Sequence, residues 1–184
     1  MNLPNKLTIL RLFLAVVFVI FYMLNIPYSG MSIFRIYALA VFIIASITDA
    51  LDGYIARKYN LITSFGKLLD PLADKVLVVC ALLCLLVTRE VPLAGVLIVV
   101  IREFSISSVR LVATEKGIVI AASKLGKIKT ISQMISTILI LAKFYEINKP
   151  CYYLTYSIYY ISIIFTVLSL IDYVYKNRAV LKDN

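Results

Sequence analysis

Hydrophobic positions fill this chain in long blocks, and the charged residues collect at the block edges. Uncharged stretches run from Leu12 to Phe34, Ile36 to Thr48, Val76 to Thr88, Val91 to Ile101, Thr130 to Ala142 and Pro150 to Ile171. A helix needs about 20 apolar residues to cross hydrocarbon, so only the first and last blocks are long enough unaided. The four between them must carry charged ends into the same apolar zone. Pro27 with Ser29-Gly30, the stretch from Thr88 to Pro92 and that from Lys143 to Pro150 supply turns between blocks. The pattern predicts an all-α integral membrane protein, a bundle of six transmembrane helices. In that bundle the charged ends of helices two to five fall on one side and line a polar cavity.

The N-terminus reads M-N-L-P-N-K-L-T-I-L-R, where Pro4 and Asn5 give a helix-start signal. The apolar run behind it is too long for the core of a secretory leader and has no small-x-small cleavage site, so the expectation is a retained first membrane helix from near Thr8. Asn5, Lys6, Thr8 and Arg11 form a polar lead-in to it, either meeting lipid headgroups or reaching the site.

Composition agrees: 62% of the 184 residues are hydrophobic and mean hydropathy is +0.95, which leaves no soluble domain and predicts one membrane domain over 1–184. The net charge of +9 points to lipid headgroups and anionic substrates, with no nucleic-acid partner. With six crossings, every basic residue except Arg35, Arg89, Lys143 and Lys149 falls on one side. The positive-inside rule makes that side cytoplasmic, so the chain is expected to be a multi-pass protein of the cytoplasmic membrane with its cavity facing the cytoplasm. Cys80, Cys84 and Cys151 read as small core residues.

One polar stretch interrupts the oil. From Asp49 to Asp74 the chain reads D-A-L-D-G-Y-I-A-R-K-Y-N-L-I-T-S-F-G-K-L-L-D-P-L-A-D. Asp49 and Asp52 are three residues apart, and Asp70 and Asp74 are four apart, spacings that stack side chains on one helical face. Gathered together, four like charges repel by several kcal/mol at low dielectric, which calls for a cation among them. With no His in the chain and the cysteines elsewhere, the ligands are hard oxygens suited to magnesium, manganese or calcium. Gly53, Ala56 and Gly66 allow close approach of a ligand or a helix, and Arg57 offers a forked phosphate donor. Together these residues suggest a nucleotide-diphosphate site.

The pattern Asp49-x-x-Asp52-Gly53-x-x-Ala56-Arg57, then eight residues, then Gly66-x-x-x-Asp70-x-x-x-Asp74, resembles the signature of the CDP-alcohol phosphotransferases at all eight of its positions. The resemblance implies that Asp49, Asp52 and Asp70 ligate Mg2+ or Mn2+ and bind the CDP diphosphate with Gly53, Ala56, Arg57 and Gly66. It makes Asp74 the general base, beside the same metal site.

A second cluster lies downstream. Counted from Pro92, Arg102 falls about 15 Å along helix four, where an arginine needs a partner, so Arg102 and Glu103 are expected to face carboxylates or each other. Arg110 follows two turns later, and Lys124, Lys127 and Lys129 open helix five. A cationic rim of Arg110 with Lys127 or Lys129 suits an acceptor phosphate, with Thr8 nearby; the same charges also suit lipid phosphates. Lys127 and Lys129 cannot both face inward on one regular helix. Three further segments, N-L-P-N-K-L-T-x-x-R at 2–11, R-E-F-x-x-x-x-x-R at 102–110 and G-K-I-K-T at 126–130, are similar to the members of the family that join CDP-diacylglycerol to sn-glycerol 3-phosphate. That likeness implies six helices, a homodimer and surrounding membrane lipids as partners. Inositol phosphate, serine or phosphatidylglycerol as acceptor, or an ion or phosphate transporter, are the rival readings. A serine acceptor has no use for the basic rim, and no inverted repeat supports a transporter.

Overall fold

A computed structural model describes the backbone of residues 3–28, 31–59, 64–115 and 123–177, and the side chains of these residues except 3–8, 49–59, 64–74, 114, 115 and 124. Among the described residues there are six α-helices and no strand: α1 (Leu3–Asn25), α2 (Ile33–Tyr59), α3 (Ser64–Val87), α4 (Leu93–Glu115), α5 (Lys124–Leu141) and α6 (Lys149–Lys176), with a short 3-10 turn at Phe144–Glu146. The first helix begins five residues before the expected start at Thr8. Pro4 permits this, because a proline in the first turn gives up an N–H that has no helical partner there. The apolar block from Leu12 to Phe34 is divided: α1 stops at Asn25, and α2 starts at Ile33.

The chain forms two units, Met1–Glu90 with Leu141–Lys143, and Val91–Ile140 with Phe144–Asn184. In the first, α1 packs on both α2 and α3. Its buried positions recur at helical spacing: Ala15, Phe18 and Tyr22 on α1, Ala38, Phe42 and Ala45 on α2, and Leu77, Ala81, Leu82, Cys84 and Leu85 on α3. The alanines bring backbones close, and the Phe18 and Phe42 rings meet at 5.9 Å between centroids.

One end of this unit is tied by a buried ion pair absent from the sequence-based expectation. Arg35, 1% exposed, grips both oxygens of Glu90 at 2.7 and 2.6 Å and donates from Nε to the Leu141 carbonyl at 2.8 Å. Tyr22 and Thr88 share a hydroxyl contact of 2.9 Å beside it. Glu90 reaches that place through a helix-ending motif, in which its N–H donates to the Leu85 carbonyl and that of Arg89 to Leu86. Arg89 stands at the left-handed position (φ 59°) that glycine usually fills, at a cost of about 1–2 kcal/mol.

In the second unit α4 packs on α6. Asn148 caps α6 by accepting from the Cys151 N–H at 2.9 Å, with Pro150 in the first turn. The inward face of α6 is Thr155, Tyr159, Ser162, Thr166, Ser169 and Tyr173, while Leu154, Ile161, Ile164, Leu168 and Ile171 point out. That reverses the order of a helix facing water. The Ser and Thr hydroxyls bond back to carbonyls of their own helix at 2.6–3.0 Å, so they pack as small side chains. Tyr159 lies against Gly95 of α4, where a β-carbon would collide with its hydroxyl. By length and composition α6 is the one helix among the described residues that suffices to cross a membrane; Ile9–Asn25, Ile33–Thr48 and Lys75–Val87 are shorter apolar stretches.

Candidate active site

The four aspartates lie on consecutive helices that touch, Asp49 and Asp52 on α2, Asp70 and Asp74 on α3. Counted from the 60–63 connection, Asp52 and Asp70 each stand about two turns away, roughly 10 Å, and Asp49 and Asp74 about three, roughly 15 Å. Along its own helix, each aspartate of one pair thus stands about as far from the connection as its counterpart in the other. Their side chains, with those of Gly53, Ala56, Arg57 and Gly66, lie outside the described residues, as does that of Thr8 in the first turns of α1. Among the described residues no group of three or more metal-ligating side chains occurs. The aspartate set is all carboxylate, and that donor chemistry fits a hard divalent ion such as Mg2+ or Mn2+ and does not fit zinc.

The basic cluster is described in full except for Lys124. Arg102 and Glu103 are both 8% exposed, and Arg102 Nη1 donates to the two Glu103 oxygens at 3.1 and 3.2 Å. Arg102 Nε also donates to Ser169 Oγ at 3.1 Å, which ties α4 to α6. This pairing follows from the sequence-based expectation. The second partner of Glu103 does not: Lys129, buried on α5, donates its ammonium to Glu103 Oε1. One carboxylate thus holds a guanidinium from its own helix and an ammonium from the next, and breaking such a buried pair costs about 3–5 kcal/mol. Gly126 makes room for this, since a β-carbon there would stand 3.2 Å from Arg102 Nη2.

Lys127, two positions from Lys129, is exposed, so α5 separates the two lysines as its periodicity requires. Arg110 is exposed as well, its guanidinium 5.8 Å from the centroid of the Tyr173 ring. Neither the Glu103–Lys129 tie nor the Tyr173 contact had a local signature. Both join residues far apart in sequence, which periodicity cannot pair.

A family model described as CDP-alcohol phosphatidyltransferase matches residues 1–168, a span that takes in the aspartate run and the basic cluster. The chain belongs to the CDP-alcohol phosphatidyltransferase family. Its similarity to individual members covers from about seven-tenths to all of its length. It is 38% identical to a Bacillus subtilis protein named CDP-diacylglycerol–glycerol-3-phosphate 3-phosphatidyltransferase, over 100% of this chain and 98% of the relative. A Rickettsia bellii protein of the same name is 44% identical over 72% of this chain and 71% of its own. A Mycobacterium tuberculosis relative named probable phosphatidylglycerophosphate synthase is 35% identical over 94% of this chain and 80% of its own. As a CDP-alcohol phosphatidyltransferase, the chain is an enzyme of group transfer.

Proposed function

We propose that this chain transfers the phosphatidyl group from CDP-diacylglycerol to sn-glycerol 3-phosphate, giving phosphatidylglycerophosphate and CMP in phospholipid synthesis. The observation that carries the reading is the end-to-end likeness to the Bacillus subtilis transferase of that name. Four aspartates paired at helical spacing on α2 and α3 support it from the side of the chemistry. Asp49, Asp52 and Asp70, with Asp74 beside them, would hold Mg2+ or Mn2+; Gly53, Ala56, Arg57 and Gly66 would border the diphosphate. Such an ion would supply charge stabilisation to the diphosphate and to the leaving CMP. Asp74 takes the proton from the 1-hydroxyl of the acceptor, whose oxygen attacks the lipid-side phosphorus in line. The new P–O bond forms as the bond to CMP breaks. Arg110 and Lys127 or Lys129, with Thr8, receive the acceptor phosphate.

In this reading all six helices cross the cytoplasmic membrane, and the site faces the cytoplasm. The reversed faces of α6 and the one-sided distribution of basic residues support it. In the same reading 1–184 acts as one domain, working as a homodimer among membrane lipids. The test is CMP release from CDP-diacylglycerol by the purified protein, with sn-glycerol 3-phosphate, inositol phosphate, serine and phosphatidylglycerol as competing acceptors. Release that depends on glycerol phosphate is expected; release with another acceptor alone would replace the assignment. For orientation, single cysteines at Lys58 and Lys149 are labelled from outside intact cells. Label at 149 and not at 58 is expected, and the opposite result inverts the topology.

A further inference from the structure

Lys129 is followed along the same buried face of α5 by Gln133 and Thr137, each one helical turn on. Gln133 is 3% exposed, and neither its amide nitrogen nor its amide oxygen has a hydrogen-bond partner. Thr137 is buried equally deeply, and its hydroxyl has no partner either. The other described hydroxyls of this helix behave differently: those of Thr130, Ser132 and Ser136 all close onto helix carbonyls at 2.9–3.0 Å. Leaving a buried donor and acceptor unsatisfied costs as much as a lost hydrogen bond for each, and a leucine or methionine at 133 would avoid it. A polar group kept at that cost points to a ligand.

The ligand's chemistry follows from what is unsatisfied. Gln133 offers a donor and an acceptor side by side, so one small partner must both accept and donate. Phosphate dianions, carboxylates and ester carbonyls do not donate, and ammonium groups do not accept. A neutral hydroxyl does both. One turn of α5, about 5.4 Å, separates this amide from the Lys129 level, which is of the order of the span from a phosphate to the hydroxyl on the neighbouring carbon of an alcohol phosphate. We infer that Gln133 and Thr137 form a hydroxyl-recognition site that takes the secondary hydroxyl of the phosphorylated polyol acceptor. The inference rests on the proposed transferase activity and names the residues that read its acceptor.

The test compares sn-glycerol 3-phosphate with 3-hydroxypropyl phosphate, which lacks only the secondary hydroxyl, in CMP release by the full-length protein. A site built around a hydroxyl rejects the analogue strongly, so the parent is expected to prefer glycerol phosphate by about a hundredfold or more in kcat/KM. Gln133→Met keeps the length of the side chain and removes both polar atoms. It is expected to bring the two acceptors to within about threefold by lowering glycerol phosphate alone, with an unchanged or raised melting temperature in the absence of substrate. Thr137→Val should narrow the preference in the same direction by less, and it carries the test should Gln133→Met fail to fold. Equal use of both acceptors by the parent, or an equal loss with both in the variants, overturns the inference and assigns the amide to an ordered water. A parent that releases no CMP with glycerol phosphate overturns the functional reading itself, and this site with it.

Discussion

The acidic run and the basic stretch treat charge in opposite ways. The acidic run of the first unit stacks Asp49 with Asp52 and Asp70 with Asp74, like charges at helical spacing that gain stability only from a cation placed among them. The basic stretch of the second brings its own opposite charge: Glu103 already holds both Arg102 and Lys129, while Lys127 and Arg110 lie exposed. The difference teaches which charges belong to the fold. A guanidinium and an ammonium sharing one buried carboxylate brace α4 against α5 before any substrate arrives. The acidic side, by contrast, has the pattern of a site completed by what binds it.

If bracing is the role of Glu103, its loss should be the largest effect on folding. Glu103→Gln withdraws a carboxylate from Arg102 and Lys129, and Glu90→Gln in the first unit withdraws one from Arg35 and the Tyr22 hydroxyl. Breaking a buried pair costs about 3–5 kcal/mol, so each variant should lose stability of that order. Thermal unfolding of both variants in detergent measures this. Equal melting temperatures for Glu103→Gln and the parent would show that the pair does not brace the fold.

The acidic side predicts the opposite profile, a loss of rate with little loss of fold. Asp49→Asn, Asp52→Asn and Asp70→Asn should each lower CMP release by at least about a hundredfold, with every acceptor, because the charge they provide acts on the donor. Chelation should abolish turnover, and Mg2+ or Mn2+ should restore it. Near-normal turnover by two of the three variants in the presence of chelator would remove the metal from the reaction.

Much of this contrast was legible in the sequence, and what was not has a common cause. The six helices among the described residues follow from the blocks and turns, and three of the five breaks fall at Pro27, Pro92 and Pro150. The Arg102–Glu103 pairing follows from the cost of an arginine deep in an apolar helix. Arg35–Glu90 and Glu103–Lys129 were invisible because Arg35, Glu90 and Lys129 each read as a charge near the end of an apolar block, and Glu103 already had Arg102 as its expected partner. Only the packing of separate helices shows which charge turns inward. Gln133 did leave a signal, an amide inside an uncharged block at helical spacing from Lys129, but nothing local says whether such a group is satisfied.

The smallest expected effect is also the most selective, and it bears on the exposed arginine. Arg110 stacks on Tyr173, so its guanidinium is oriented by an aromatic face. If Arg110 and one of the α5 lysines bind the acceptor phosphate while the aspartates hold the diphosphate, Arg110→Ala should lower kcat/KM for glycerol phosphate and leave donor KM unchanged. A charge-assisted hydrogen bond is worth about 1.5–3 kcal/mol, or roughly ten- to a hundredfold in that ratio. Glycerol, which lacks the phosphate, should be a poor substrate for the parent, and the variant should lose little more with it. Lys127→Ala and Lys129→Ala then divide the lysines: the first should act on acceptor KM alone, the second on melting temperature as well, because Lys129 is bound to Glu103. An Arg110→Ala loss equally large with glycerol and glycerol phosphate would move Arg110 from the acceptor phosphate to the bracing of α4 against α6.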